Sequence, residues 1–530
     1  MTTKPVIEIY DTTLRDGTQG KDINVSVEDK LVLTRKLDEF GVDYIEGGWP
    51  GSNPRDEKYF AEVRRIPLQH AKICAFGSTA RHSGKIKTDE NLNKLIAAET
   101  PIVTIFGKTW QFHSRESLGL SDAENEDIIF HSVAHLVETG RKVIFDAEHF
   151  FDGYMASPAF ALRMIKAAEK AGASLLCLCD TNGGTLPFDI SRIVAEVHAQ
   201  VGIPLGIHAH NDSETAVASS IAAVQAGAIQ IQGTINGIGE RCGNANLCSI
   251  MPNLSLKLGY PDSLGGRNLK RLSKLSHYFD EVINQVPNPR AAYVGKSAFS
   301  HKGGIHVSSI LKDSRMYEHV APEEVGNNRH VIISDLAGQA SIRYLAKEFG
   351  LELPEGREFS QKFVQNIKTL EYEGFQFDGA EASFELLMLA ELGAYKPYFK
   401  VHYAKVNDLV DGTGYRLSES ILKVRVGEEE EHTAADGTGP VNALDQALRK
   451  ALLRFYPSLK DVSLTDYKVR VLGEKNGTVA KVRVLVESTD GENTWSTVGL
   501  SPDIIEASLD ALCDSINYKI YKDGRSVENI

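Results

Sequence analysis

The chain has 530 residues, 42% of them hydrophobic and 24% charged, a globular composition too long for one ordinary domain. A net charge of −13 argues against the clustered basic surface of a nucleic-acid binder. Six cysteines are too few for a disulfide framework, and no apolar run approaches the ~18 residues of a membrane span. The opening Met-Thr-Thr-Lys-Pro-Val-Ile leads straight into a strand pattern rather than a secretory leader. The expectation is a cytoplasmic enzyme with neither nucleic acid nor membrane among its partners.

Short apolar runs predict strands at 6–10, 44–47, 72–76, 102–106, 142–147, 174–179, 204–209 and 228–232. They lack strict polar alternation, as expected of strands buried on both faces. Amphipathic helical stretches such as 27–40, 122–139 and 158–171 separate them, and glycines at 41, 140, 172 and 227 close several. Eight such units over residues 1–265 predict a (β/α)8 TIM barrel, an α/β fold. The alternative, a doubly wound sheet, lacks a G-x-G-x-x-G after its first strand. A largely helical linker is expected over 266–397 and an α+β regulatory domain over 398–530. Within the latter, Lys-Val-Arg-Val recurs at 423 and 481, and helices are predicted from Pro440 and Pro502. This is a weak internal repeat of strands and helix, suggesting pseudo-twofold symmetry.

A barrel places its chemistry at the C-terminal ends of its strands. His208 and His210 end the seventh predicted strand two residues apart, so both imidazoles leave the same face. Asp16 follows the first strand. Asn244 lies in the glycine-rich stretch 233–246 after the eighth. One carboxylate, two imidazoles and one amide oxygen suit a hard divalent cation, Mg²⁺ or Mn²⁺, with Zn²⁺ as an alternative. Positions left open would accept the carboxylate and keto oxygens of a 2-oxo acid. Arg15, next to Asp16, is placed to meet negative charge developing on the carbonyl oxygen. The bland readings are a turn cap for Asp16 and a surface ion pair for Arg15. Cys177 and Cys179 share one strand face and read as reduced core thiols rather than a metal pair.

Three separated motifs carry a resemblance: Asp11-Thr12-Thr13-Leu14-Arg15-Asp16-Gly17-Thr18-Gln19, His208-Ala209-His210-Asn211-Asp212 and Gly239-Glu240-Arg241-Cys242-Gly243-Asn244. Together they resemble the DRE-TIM metallolyases, the family of 2-isopropylmalate, homocitrate and citramalate synthases. The stretches 46–54, 146–154 and 179–184 look most like the citramalate branch. The resemblance covers nearly the whole chain. It implies a Claisen-type condensation of acetyl-CoA with pyruvate, with Thr181 binding the pyruvate carboxylate and Glu148 orienting acetyl-CoA or assisting proton transfer. Gln19 and Asp146 would border the substrate pocket, and His113 would match an accessory histidine. His306, accompanied by Tyr317, matches a histidine that the family's linker delivers into the partner subunit's site, which implies a homodimer. The related synthases often continue Gln-Asp-Gly after that histidine, whereas Val307-Ser308-Ser309 follows here. The last domain resembles one that binds the end-product amino acid, isoleucine for the citramalate branch.

Three other readings compete. A 2-isopropylmalate synthase would share every rim residue and differ in pocket volume. An acyl-CoA lyase on the same barrel would lack the long C-terminal region. A noncatalytic amino-acid sensor would have no use for the metal set and Arg15. Asp436-Gly437-Thr438-Gly439-Pro440 lacks the Gly-Lys-Ser/Thr ending of a phosphate loop and reads as a tight turn before a helix. The acidic run 428–431 reads as a solvated face.

Overall fold

The computed structural model describes residues 4–261, 268–332, 338–410, 416–472 and 480–524. Strands β1 (Glu8–Asp11), β2 (Tyr44–Gly48), β3 (Lys72–Ser78), β4 (Ile102–Lys108), β5 (Lys142–Glu148), β6 (Leu175–Asp180), β7 (Leu205–Ala209) and β8 (Gln230–Gly233) form a closed barrel in sequence order. All pairings are parallel, and β8 returns to β1 in a register that sets Ile9 against Ile231. Each parallel step needs a crossover, which the helices supply. The first, Val27–Phe40, starts at a Ser26/Asp29 capping box and stops at Gly41, whose φ of 99° suits glycine alone. Its buried Leu33, Leu37 and Phe40 form the stripe that faces the strands.

Successive strand residues alternate between two cores. Tyr10, Tyr44, Cys74, Ile102, Ile144, Leu175, Cys177 and Cys179 fill the barrel interior, while Ile9, Ile45, Val103, Phe145, Leu176 and Ile207 pack under the helices. The paired cysteines are free thiols inside the barrel. Burial pushes Cys179 up to about 11, so it stays protonated and inert near neutral pH.

The chain divides into two compact units, residues 1–299 with 318–329, and residues 300–317 with 330–530. Helix Leu272–Val282 puts Leu272, Leu275 and Phe279 into the outer core of the barrel, so the first described part of the expected linker packs with the barrel. In the second unit β9 (Ser300–His301) pairs with β10 (His330–Val331). Helices Gln339–Glu348, Glu358–Glu373 and Glu381–Glu391 follow, around Phe363, Phe377 and Phe384.

Beyond them, β11 (Lys400–Val410), β12 (Arg416–Val426) and β13 (Glu429–Gly437) make one antiparallel sheet, followed by helix Pro440–Leu452. Strands β14 (Ser463–Leu472), β15 (Lys481–Thr489) and β16 (Thr494–Ser501) make another, followed by helix Ile504–Lys522. The sequence repeat is thus a structural one, and each Lys-Val-Arg-Val lies on the central strand of its sheet. Leu444, Leu448, Leu512 and Ile516 of the two helices share a single core with Val424 and Val484. Among the described residues no helix is long and apolar enough to cross a membrane.

Candidate active site and metal centre

Asp16 heads the short 3-10 helix Gly17–Gln19, yet its side chain makes no capping hydrogen bond. The carboxylate turns inward, with Oδ2 3.1 Å from His208 Nε2 and 3.9 Å from His210 Nε2. The two Nε2 atoms are 3.4 Å apart. One donor atom from each of Asp16, His208 and His210 lies within 4.8 Å of the others, and all three residues are buried. Burial alone would raise the Asp16 pKa. The Arg15 guanidinium and His208 outweigh it and hold the carboxyl well below the usual carboxylate range.

Asn244 is held next to His210. The Asn211 N–H donates to the Gly243 carbonyl, and the Ala245 N–H to that of Ala209, which hooks the glycine-rich loop onto the end of β7. Asn244 thereby forms a backbone bridge with His210. Its Nδ2 donates to the Ile238 carbonyl at 3.3 Å, while the buried Oδ1 has no protein partner. An amide oxygen left so is costly unless something else meets it. Gly239 and Gly243 make the turn possible. Their φ values are 155° and 89°, and a Cβ would lie 2.1 Å from Asn244 Nδ2 at the first and 2.0 Å from the Gly237 oxygen at the second. One carboxylate and two imidazoles in a buried cluster, with an orphaned amide oxygen on the residue bridged to His210, fit a divalent cation.

Arg15 is clamped rather than loose. Its Nε donates to Glu46 Oε2 at 2.6 Å, NH1 lies 3.5 Å from Asp16 Oδ1, and the guanidinium sits 3.7 Å over the Phe76 ring. Glu46 is fully buried in the middle of β2. Its other oxygen accepts from the Tyr10 hydroxyl at 3.0 Å. Burial raises the Glu46 pKa against the opposing pull of Arg15. Neither Glu46 nor Phe76 has a role in the sequence reading. Neither a glutamate nor a phenylalanine stands out in strands that also carry Tyr10, Tyr44, Phe106 and Phe145, and only the closed barrel shows that both face Arg15.

Behind the histidines lies a second line of groups. His208 Nδ1 lies 3.0 Å from Gln232 Oε1, and Gln232 Nε2 donates to Asp146 Oδ1 at 3.0 Å. Gln232 is likewise absent from the sequence reading. Burial, reinforced by the Glu46 charge, pushes the Asp146 carboxyl up to about 7.

Thr181, just past β6, accepts the His149 N–H at 2.9 Å, which leaves its own hydroxyl hydrogen free. Its carbonyl accepts from Arg241, which also grips both Asp212 oxygens at 2.8 and 3.0 Å. Glu148 closes β5 in an ion pair with Lys108. His113, on helix Gln111–Leu118, packs edge-on to His149 at 4.8 Å, and burial lowers its pKa. Gln19 is exposed on the same rim. His306 and Tyr317 belong to the second unit, their rings stacked at 4.2 Å. Both are exposed there.

Three family models match successive parts of the chain. An HMGL-like family model matches residues 6–277, a homocitrate synthase post-HMGL domain-like model 293–374, and a LeuA allosteric (dimerisation) domain model 378–520. A 2-isopropylmalate synthase of Methanocaldococcus jannaschii is 30% identical over 96% of this chain and 94% of its own. The (R)-citramalate synthase of Aquifex aeolicus is 51% identical over 98% of each chain. That of Geobacter sulfurreducens is 52% identical, again over 98% of each. The chain belongs to the family of (R)-citramalate synthases.

Proposed function

We propose that this protein condenses acetyl-CoA with pyruvate and water to give (R)-citramalate and CoA, on a route to isoleucine. The observation that carries the reading is the buried cluster of Asp16, His208 and His210 beside a clamped Arg15, with Asn244, whose amide oxygen has no protein partner, bridged to His210. Those four residues would hold Mg²⁺ or Mn²⁺, which supplies Lewis acidity toward the keto group when bound. Thr181 donates its free hydroxyl hydrogen to the pyruvate carboxylate. Arg15 donates to the keto oxygen as that atom gains negative charge, while Glu46 and Phe76 keep the fork from turning away. Glu148 orients the thioester, and Gln19, His113 and Asp146 bound the pocket. The new bond joins the acetyl methyl carbon to the keto carbon. Water then cleaves the thioester carbon–sulfur bond and releases CoA. Chiral chromatography of the product tests this. (R)-citramalate is expected, and its absence from active protein would overturn the reading.

In this reading the base that takes the methyl proton is His306, with Tyr317 stacked on it, delivered by the second subunit of a homodimer. Both side chains are exposed on their own unit, which suits a role in another site. Inactive Asp16→Ala and inactive His306→Ala subunits, mixed and reassorted, are expected to regain partial activity, because some mixed dimers carry one intact site. No recovery in demonstrated heterodimers contradicts a shared site.

The duplicated sheet-and-helix region is proposed to bind isoleucine and to inhibit by favouring one of two conformations. Ser383 donates to Asp514, and the Val498 N–H donates to Ser383. Cutting the chain near 395 would strip partners from that helix, so the test belongs on the whole protein. Isoleucine is expected to slow turnover at concentrations where leucine does not. Inhibition by leucine alone would favour a 2-isopropylmalate synthase.

A further inference from the structure

Condensation joins two carbons but leaves a thioester that water must still open, and no base has been assigned to that water. We infer that His149, oriented by Asp152, is the catalytic base of this hydrolytic step. The inference rests on the condensation reading and adds a residue to it.

His149 follows Glu148 at the end of β5 and heads helix Phe150–Ala156 in the left-handed conformation, with φ 53° and ψ 37°. A side chain held there at the C-terminal rim of a barrel calls for a reason. The turn does two things. It lets the His149 N–H donate to Thr181 Oγ1 at 2.9 Å, which puts the residue beside the proposed pyruvate-carboxylate group. It also lays the imidazole against Trp110 and His113, with ring centroids 5.6 and 4.8 Å away. Nδ1 lies 3.2 Å from Asp152 Oδ2, and Asn182 Nδ2 donates to that same oxygen at 3.1 Å. The carboxylate is thus held from two sides.

An ionised carboxylate can only accept, so Nδ1 carries hydrogen and Nε2 keeps its lone pair. Nε2 has no protein partner among the described residues, and the side chain is 13% exposed, so the ring is not sealed in the core. Two neighbours suit the task less well. Glu148 is engaged by Lys108, and His113 Nδ1 is buried without a partner, so no carboxylate orients that ring through it. In the step, Nε2 takes a proton from water as the water oxygen bonds to the thioester carbonyl carbon. The carbonyl electron pair moves onto its oxygen and returns as the carbon–sulfur bond breaks. Sulfur leaves with the bonding pair and takes the proton back from the imidazolium. The products are the carboxylic acid, free CoA thiol and neutral imidazole.

His149→Asn and His149→Gly test this, because both residues accept a positive φ and both keep the N–H that meets Thr181. Each full-length variant is offered the condensed thioester, synthetic (R)-citramalyl-CoA, and its products are separated by mass spectrometry. Hydrolysis gives citramalate and CoA, whereas reversal of the condensation gives acetyl-CoA and pyruvate. In the variants hydrolysis is expected to fall about 10²-fold or more, the scale of a lost general base. Reversal should continue near the wild-type rate, so the ratio of acetyl-CoA to citramalate rises by a similar factor. A merely structural role would slow both reactions together and leave that ratio unchanged. An unchanged ratio in either folded variant overturns the role of His149. A wild type that leaves the thioester untouched would instead overturn the condensation reading, and this role with it.

Discussion

The His208→Ala/His210→Ala variant is expected to lose both bound Mn²⁺ and turnover. The two imidazoles supply two of the four proposed donors and approach the Asp16 carboxylate at 3.1 and 3.9 Å. Without them Asp16 keeps Arg15 at 3.5 Å as its charged neighbour, an ion pair rather than a cation site. Chelator treatment of the unaltered protein should have the same effect on turnover, reversed by Mg²⁺ or Mn²⁺. A thermal melt separates loss of the site from loss of the fold. Full activity in the folded double variant would falsify the metal centre.

Arg15→Lys should lower kcat by about 10²-fold or more, the scale of losing one oxyanion donor. Lysine keeps the charge. It cannot hold Glu46 through one nitrogen, lie flat over Phe76 and still present a second donor to the keto oxygen. Glu46 is fully buried, so the substitution also weakens the partner that holds its charge. Steady-state kinetics at saturating substrate decide the matter. A raised KM with kcat unchanged would place Arg15 in binding rather than in the reacting state.

The barrel was legible because its signals are local. Apolar runs of strand length, separated by amphipathic helices with glycine stops, leave few alternatives, and the eight expected strands each have a counterpart. The Asp16, His208 and His210 cluster was legible because each follows a barrel strand in a recognisable motif. Asn244 was named from its motif too, but its place next to His210 depends on a loop in which Gly239 and Gly243 leave no room for a Cβ. Glu46, Phe76 and Gln232 stayed hidden for a physical reason. Each acts across the barrel interior on a residue from another strand, and β-strand periodicity does not tell which face turns inward when both are apolar. The duplicated region shows a related limit. Its repeated tetrapeptide marks the central strand of each sheet, while the edge strands β11, β13 and β14 carry polar, half-exposed patterns with little periodic signal. The split of the linker between two units depends on Leu272, Leu275 and Phe279 finding the outer core of the barrel, which helical periodicity alone does not reveal.

The central claim, that pyruvate is the acceptor, is tested most directly by CoA release from acetyl-CoA with pyruvate, 2-oxoisovalerate, 2-oxobutyrate and 2-oxoglutarate offered in turn. The expected result is a kcat/KM for pyruvate well above the other three. A higher kcat/KM for 2-oxoisovalerate would contradict the account and make the protein a 2-isopropylmalate synthase in function.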